Sequence, residues 1–158
     1  MEELMNKPAL FICLVISCLA CEEDASEPEI WLDISPVYVG IRSLDAGPYH
    51  FDLQFTNRGQ SVLEISGYEV RGDRNCAFSF EGPDISEVGK DESAFIRGWY
   101  EPVVAAEDQI ALMLNSNCHI NPRLIVPICG RGVLPGTLDA GPPPACNVPP
   151  SDQPDCPR

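Results

Sequence analysis

Short segments in which apolar and polar residues alternate, each bounded by turn residues, constrain the fold of this 158-residue chain more than any other feature. In the clearest of them, YHFDLQFT at 49–56, every second residue is aromatic or aliphatic and the residues between are polar. Alternation with a period of two predicts a strand with one buried face. The NRGQ that follows (57–60) predicts a turn. The next strand pattern is SVLEISGYEV (61–70). Its alternation changes phase at Ser66-Gly67, which predicts a bulge or bend.

Strand patterns recur along the chain, and together with the two segments above they make seven. The other five are EIWLDISPVYVGI (29–41), CAFSF (76–80), SAFIRGWYEP (93–102), DQIALMLNSN (108–117) and PRLIVPICG (122–130). Pro127 predicts an edge strand or a strand end, because proline lacks the N–H that a central strand donates. Seven short strands with frequent turns predict an all-β fold, a single immunoglobulin-like β-sandwich over residues 29–134.

The stretch FICLVISCLAC at 11–21 lies inside an uncharged, mostly apolar run. This run is too short to span a bilayer but suits the hydrophobic region of a signal peptide. The VISC that ends at Cys18 is typical of a bacterial lipoprotein signal, and Cys21 is the second candidate for acylation. We therefore predict a signal peptide at 1–20, an acidic tether at 21–28, and an exported lipoprotein of the outer membrane or cell surface, anchored in the membrane by its acyl chains. An ordinary cleaved signal is the alternative.

The charge and the absence of known motifs exclude several classes of function. Acidic residues outnumber basic ones by 24 to 10, and the net charge is −14. Nucleic acid is excluded as a partner, because its phosphates require clusters of lysine and arginine. No phosphate loop, dinucleotide fingerprint, nucleophile elbow or metalloprotease motif is present. We therefore expect no catalytic residues, no enzyme activity and no cofactor.

The cysteines beyond the signal are expected to form disulfides, because an exported chain meets an oxidising compartment. The candidates are Cys76, Cys118, Cys129, Cys146 and Cys156. The last two lie in a proline-rich tail, residues 135–158, which has too few large apolar residues to build a core. We predict that Cys146 pairs with Cys156 and closes a loop in this tail. One bridge is expected among the other three, and its connectivity is left open.

Six motifs stand in order between residues 30 and 133. They are VYVG (37–40), FTNRGQSVLEIS (55–66), CAFSF (76–80), YEP (100–102), LNSNC (114–118) and NPRLIVPICGRGV (121–133). In order and spacing they resemble the Hydin-type (ASH) immunoglobulin-like domain found in bacterial surface proteins of the choice-of-anchor D kind. The chain departs from that pattern at Val88-Gly89, where the family has Pro-Gly, and at Cys118 and Cys129, where polar residues are common.

The resemblance implies a β-sandwich with a binding or spacer role and without catalytic residues. It also implies structural roles for four residues. Asn57 would shape the second turn through bonds from its side chain to the backbone, and Gly59 through a positive φ. Gly130 and Gly132 would close the last strand.

The segment at 93–102 supplies the candidate binding residues. If the alternate residues face the core, Phe95, Arg97 and Trp99 line the outer face of one strand, and exposed aromatic residues beside arginine are typical of interfaces. The opposite phase would make Trp99 the core tryptophan of the sandwich, and both phases remain open. His50 falls on the predicted outer face of its own strand.

These patterns lead to one functional hypothesis and two alternatives. The leading hypothesis is a lipid-anchored domain that binds an envelope protein or glycan, or acts as a spacer. The first alternative is a structural part of an envelope assembly that offers a sheet edge for β-augmentation. The second is a metal protein that uses Cys118 and His119, although the paired short spacings of zinc sites are missing and we expect no metal.

Overall fold

The structure is a computed structural model that describes residues 27–137 and 141–149. These residues form nine β-strands and no helix. The strands are β1 (Ile30–Leu32), β2 (Val37–Ser43), β3 (Tyr49–Asn57), β4 (Leu63–Arg71), β5 (Phe78–Glu81), β6 (Glu87–Val88), β7 (Ser93–Tyr100), β8 (Glu107–Ser116) and β9 (Arg123–Val133). The predicted signal peptide, Cys18, Cys21, most of the tether and Cys156 lie outside the described residues.

The strands form two stacked sheets, which confirms the predicted immunoglobulin-like sandwich. The four-stranded sheet has the order β1-β3-β7-β5, and the five-stranded sheet has the order β2-β9-β8-β4-β6. All paired strands are antiparallel except β2 and β9, which are parallel. The prediction of one strand over 29–41 is wrong, because β1 and β2 belong to different sheets. Pro36 separates them, and its missing N–H and fixed φ favour a break there.

The core lies between the two sheets and follows the predicted alternation. Leu53 and Phe55 of β3 are buried, whereas Asp52 and Gln54, which alternate with them, are exposed. The largest buried side chains include Tyr100, Phe55, Ile96, Ile110, Leu112, Leu114 and Ile128. In β8 the alternation fails, because Met113 is buried on the outer face as well. The register places Met113 between Glu69 of β4 and Ile125 of β9, in the middle of the sheet.

Two local irregularities were predicted, with different outcomes. The phase slip at Ser66-Gly67 is confirmed as a register shift between Ile65 and Gly67 in the pairing of β4 with β8. The prediction from Pro127 is wrong for the strand as a whole, because β9 lies between β2 and β8. However, β2 pairs with β9 only from Ile128 onward. Pro127 therefore lies where β9 still has no strand neighbour on that side, which is the local setting that proline requires.

The disulfide prediction is wrong for Cys146, which bonds to Cys129 of β9 with 5.4 Å between the Cα atoms. The expected bridge among Cys76, Cys118 and Cys129 is also wrong for Cys118, which is a buried free thiol. Cys76 is also disulfide-bonded.

The reason for the unexpected pairing is that the tail lies against the outer side of the five-stranded sheet. Gln109 of β8, which is opposite Cys129 in the register, donates from Nε2 to the carbonyl of Ala145 at 2.6 Å. Pro149 is buried, and a Cβ placed on Gly72 would come within 2.5 Å of its ring. The tail is thus bound to the sheet by one covalent bond and by contacts on both sides of it.

Candidate binding face

The outer side of the four-stranded sheet presents the three candidate residues as predicted. In β7, Phe95 and Arg97 are exposed and Trp99 is partly exposed, whereas Ala94, Ile96 and Tyr100 are buried. Trp99 is therefore not a core residue. The core aromatic ring of this strand belongs to Tyr100, which stacks on Phe78 with 4.7 Å between ring centroids.

The register of the sheet places polar partners beside each of these residues. Across β7, Gln54 of β3 lies opposite Phe95, Asp52 of β3 and Glu81 of β5 lie on the two sides of Arg97, and His50 of β3 and Ser79 of β5 lie on the two sides of Trp99. The His50 and Trp99 rings meet edge to face, with 5.4 Å between centroids, which confirms that His50 faces outward. We call this surface the binding face and define it by Phe95, Arg97, Trp99, His50, Asp52 and Glu81.

Arg97 lies between two carboxylates without a tight bond to either. Its Nε atom is 3.8 Å from Asp52 Oδ1, and its Nη1 atom is 4.0 Å from Glu81 Oε2. The side chains of all three are well exposed, and ion pairs of this kind contribute roughly 0–1 kcal/mol to stability. Arg97 and its partners can therefore turn toward a ligand at little cost to the fold.

Two open hollows lie along β7 and the edge strand β5. The first, about 460 Å³, is lined by Trp99 together with Ser79 and Glu101, and we call it the Trp99 hollow. The second, about 520 Å³, is lined by Phe95 and Arg97 with carboxylates from neighbouring segments, and we call it the Phe95 hollow. The two hollows follow the same strand, so an elongated ligand can occupy both.

A largely buried polar network holds the segment that leads into β5, whose residues Ala77 and Phe78 also line the Trp99 hollow. The Tyr100 hydroxyl donates to Asp108 Oδ2 at 2.7 Å, and Asn75 Nδ2 donates to Asp108 Oδ1 at 2.6 Å. Asp73 accepts from the backbone N–H groups of Ala77 and Phe78, at 2.9 and 3.1 Å. These bonds fix the chain as it enters β5. The sequence does not reveal this network, because Asp73 stands in a polar stretch that looks like a solvated loop and Asp108 stands at the start of a strand, where a solvated carboxylate is common.

Burial, followed by the hydrogen bond to Asp108, raises the pKa of Tyr100 well above its ordinary value of 10.0. A raised folded-state pKa contributes stability that is present below pH 10 and is lost as the pH rises further. We expect Tyr100→Phe to be less stable than the wild type at pH 7 by about 1–3 kcal/mol. Above pH 10 this difference should shrink by about 1.4 kcal/mol per pH unit. Urea unfolding from pH 7 to 11.5 measures both values, and a difference that stays constant with pH would contradict the assignment.

Four residues were predicted to have structural roles, and each makes either hydrogen bonds to the backbone or a close approach that leaves no room for a larger residue. The side chain of Asn57 bonds to four backbone groups, as predicted. Gly59 does not have the predicted positive φ; a Cβ there would instead come within 2.2 Å of the Glu27 carbonyl oxygen. Gly130 and Gly132 lie within β9, and each touches side chains or backbone that a Cβ would displace.

The two residues of the metal hypothesis do not converge. Cys118 is 1% exposed, whereas 82% of the His119 side chain is exposed, and its Nδ1 atom lies 3.8 Å from Glu27. Over residues 27–137 and 141–149, no group of three or more His, Cys, Asp and Glu side chains is arranged to hold a metal ion.

The edges of the two sheets are short or irregular. The edge strands β1, β5 and β6 have three, four and two residues. In β5 the carbonyl of Phe80 already accepts from the Tyr68 hydroxyl at 3.0 Å. The longest edge strand is β2, and its register shifts between Tyr38 and Gly40. Short and bulged edges are poor templates for an added strand, so this geometry favours the binding face over β-augmentation.

Within the described residues, no helix has the length and apolar character that crossing a membrane would need. No family model matches the chain, and no curated protein matches it. Among solved structures, it is similar to a protein of unknown function from Porphyromonas gingivalis W83, with 18% identity and a TM-score of 0.57, over 68% of this chain and 48% of that one.

Two further solved structures are similar to the chain. The secreted serine protease VesC from Vibrio cholerae is 14% identical, with a TM-score of 0.49 over 67% of this chain and 23% of that one. The ASH/PapD-like domain 7 of human CEP192 is 12% identical, with a TM-score of 0.47 over 80% of this chain and 99% of that one. The chain spans less than half the length of the P. gingivalis and VesC chains. Its own two sheets define it as an immunoglobulin-like β-sandwich.

Proposed function

We propose that this chain is a non-catalytic binding domain, carried on the cell envelope, that engages a protein or glycan partner through the binding face. The observation that carries the proposal is the line of Phe95, Arg97 and Trp99 on the outer side of the four-stranded sheet. Tryptophan and arginine are over-represented among residues that dominate binding energies. Exposed apolar rings rimmed by polar groups are typical of interaction sites.

Two further arguments support a binding role. The resemblance of residues 30–133 to Hydin-type domains of the choice-of-anchor D kind implies a binding or spacer domain without catalytic residues. The metal alternative requires Cys118 and His119 to act together, and their very different exposures oppose that.

The envelope location rests on the sequence of the first 21 residues. Acylation at Cys18 or Cys21 would hold the domain at the membrane, since each buried methylene of an acyl chain contributes about 0.8 kcal/mol. The intact mass of protein extracted from membranes tests this part. A mass that fits cleavage and acylation at either cysteine supports the anchor, and an unlipidated mass removes it while leaving the binding face in place.

The binding role is tested with the double variant Phe95→Ser/Trp99→Ser. Wild-type and variant chains are immobilised at equal density and exposed to envelope extract, and the retained protein and neutral sugar are quantified. We expect retention to fall at least about tenfold, which corresponds to about 1.4 kcal/mol of binding free energy.

A matched control comes from the opposite face of the sandwich. Tyr38→Ser/Ile125→Ser removes two hydrophobic side chains of similar exposure, 42% and 45%, from the outer side of the five-stranded sheet. This control should retain wild-type amounts of material, and both variants should keep the wild-type circular dichroism. If the two variants lose the same amount, or neither loses any, the binding face is not the site.

A further inference from the structure

We infer that the binding face takes an extended, basic polypeptide segment with two cationic side chains four residues apart, one in the Trp99 hollow and one in the Phe95 hollow. This inference rests on the proposed function and names the class of partner for the same site. Three features of the face carry it: its charge, its aromatic rings and the distance between these rings.

The charge of the two hollows favours a cationic occupant. Asp52, Glu81 and Asp84 line the Phe95 hollow beside Arg97, and Glu101 lines the Trp99 hollow. The linings of the two hollows therefore contain four carboxylates and one guanidinium, and all four carboxylates belong to exposed residues. The whole chain carries a net charge of −14, which adds a long-range attraction for basic partners and repels acidic ones. Acidic glycans and phosphate-bearing ligands are disfavoured on this face.

The aromatic rings provide a second reason for a cation. A guanidinium over an aromatic ring is favourable because the ring face carries partial negative charge. The surface already uses this contact twice: the Arg42 Cζ atom lies 3.6 Å from the centroid of the Tyr49 ring, and Arg58 Cζ lies 4.1 Å from the Trp31 ring. Among the side chains that the structure describes, no such cation covers Phe95 or Trp99.

The spacing of the rings favours an extended segment. Phe95 and Trp99 are four residues apart on one strand, which corresponds to about 13 Å along β7. In an extended peptide, residues i and i+4 project to the same side at the same separation, so each can reach one ring. On a helix the same two residues are only about 6 Å apart. A strand-like peptide lying along β7 therefore matches the two hollows, and a helical one does not.

The inference is tested with synthetic nine-residue peptides in a glycine-serine background. One carries two arginines four positions apart, the second carries them two positions apart, and the third carries glutamates in place of the arginines. Binding of each fluorescent peptide to the full chain in detergent micelles is measured by anisotropy at low salt. We expect the first to bind at least about tenfold more tightly than the second, and the third not to bind.

Isosteric variants assign the binding to this face. Glu81→Gln/Asp84→Asn removes two charges, and the asparagine keeps the acceptor for the Phe95 and Ile85 N–H groups that Asp84 now provides. This double variant should bind the first peptide at least about fivefold more weakly. A fivefold loss of affinity corresponds to the loss of about 1 kcal/mol of charge pairing. Glu64→Gln/Glu87→Gln removes two exposed carboxylates of the five-stranded sheet and should leave the affinity unchanged.

Three results would overturn the inference: equal affinity for both arginine spacings, binding of the glutamate peptide, or no effect of Glu81→Gln/Asp84→Asn. A neutral oligosaccharide that binds the wild type and is lost in Phe95→Ser/Trp99→Ser would overturn the basic peptide while preserving the proposed function. If neither peptide nor oligosaccharide binding depends on Phe95 and Trp99, both proposals fail.

Discussion

Replacing Asn57 with alanine is expected to lower the free energy of unfolding by about 3–4 kcal/mol, a large effect for one polar residue. Asn57 is completely buried at the end of β3. Its Oδ1 atom accepts from the backbone N–H groups of Glu29 and Gly59, at 3.2 and 2.9 Å. Its Nδ2 atom donates to the carbonyl groups of Ser61 and Val88, at 2.7 and 2.9 Å. One amide thus joins the segment before β1, the turn after β3, and β6.

The cost arises because alanine leaves four backbone groups without this partner. A buried donor or acceptor that loses its hydrogen bond costs about 1–3 kcal/mol, and two of these four bonds are only partly buried, which limits the sum. Urea unfolding at pH 7 measures the loss. Gln54→Ala is the matched control, since Gln54 lies on the same strand and its amide makes one exposed hydrogen bond, to Ser93. This control should lose less than about 0.5 kcal/mol.

The aspartate variant separates the effect of the lost hydrogen-bond donor from the effect of the lost side-chain volume. Asn57→Asp keeps the shape of the side chain and the oxygen that accepts from Glu29 and Gly59. It replaces the Nδ2 donor with a second oxygen, so at neutral pH a buried carboxylate lies against the Ser61 and Val88 carbonyl oxygens. At pH 4 a protonated carboxyl regains one donor, so this variant should be closer to wild type at pH 4 than at pH 7. If Asn57→Ala loses no more than Gln54→Ala, the side chain does not hold this corner of the sandwich.

Removing the Cys129–Cys146 disulfide through Cys146→Ser is expected to lower the free energy of unfolding by about 3 kcal/mol. The two cysteines are 17 residues apart in sequence, so the bridge closes a loop long enough to restrict the unfolded chain substantially. In the folded chain, the bond also holds the tail at Ala145 and Pro149 against the outer side of the five-stranded sheet. The variant should therefore show faster amide hydrogen exchange in residues 141–149 as well as lower stability.

A control in the same segment is Val148→Ala, which shortens a side chain that is 52% exposed and should change stability by less than about 0.5 kcal/mol. Peptide mapping under non-reducing conditions adds an independent check, because it identifies the linked cysteines directly. A peptide that links Cys146 to Cys156, or a Cys146→Ser variant as stable as the wild type, would contradict the pairing.

The strands and the faces of the sandwich could be predicted because alternation is a local property. In β7, and in β3 from His50 onward, the period of two is uninterrupted, and each strand has one face on the core and one on solvent; only Tyr49, at the start of β3, is exposed on the inner phase. That regularity placed Phe95, Arg97 and Trp99 on the outer side, although the sequence alone left the phase of Trp99 open. The bulge at Ser66-Gly67 was visible for the same reason, since an extra residue shifts the phase of everything after it.

Features that depend on distant parts of the chain could not be predicted. Pairing of Cys129 with Cys146 requires the tail to lie on the five-stranded sheet, and a stretch rich in proline carries no pattern that shows where it docks. Gly59 was expected to be needed for its φ, but the constraint is the backbone at Glu27, far from it in sequence. The carboxylates that line the Phe95 hollow come from two separate segments, Asp52 from β3 and Glu81 and Asp84 from the end of β5 and the turn after it, so their convergence appears only in the folded chain.

The claim that a partner binds the outer side of the four-stranded sheet is tested most directly by photo-crosslinking in the native host. A benzophenone amino acid replaces Phe95 in one strain and Tyr38, on the opposite side of the sandwich, in another. After irradiation of intact cells, we predict a discrete adduct of higher mass from the Phe95 position and none from the Tyr38 position. An adduct that forms only from the Tyr38 position, or equally from both, would contradict the assignment of the binding face.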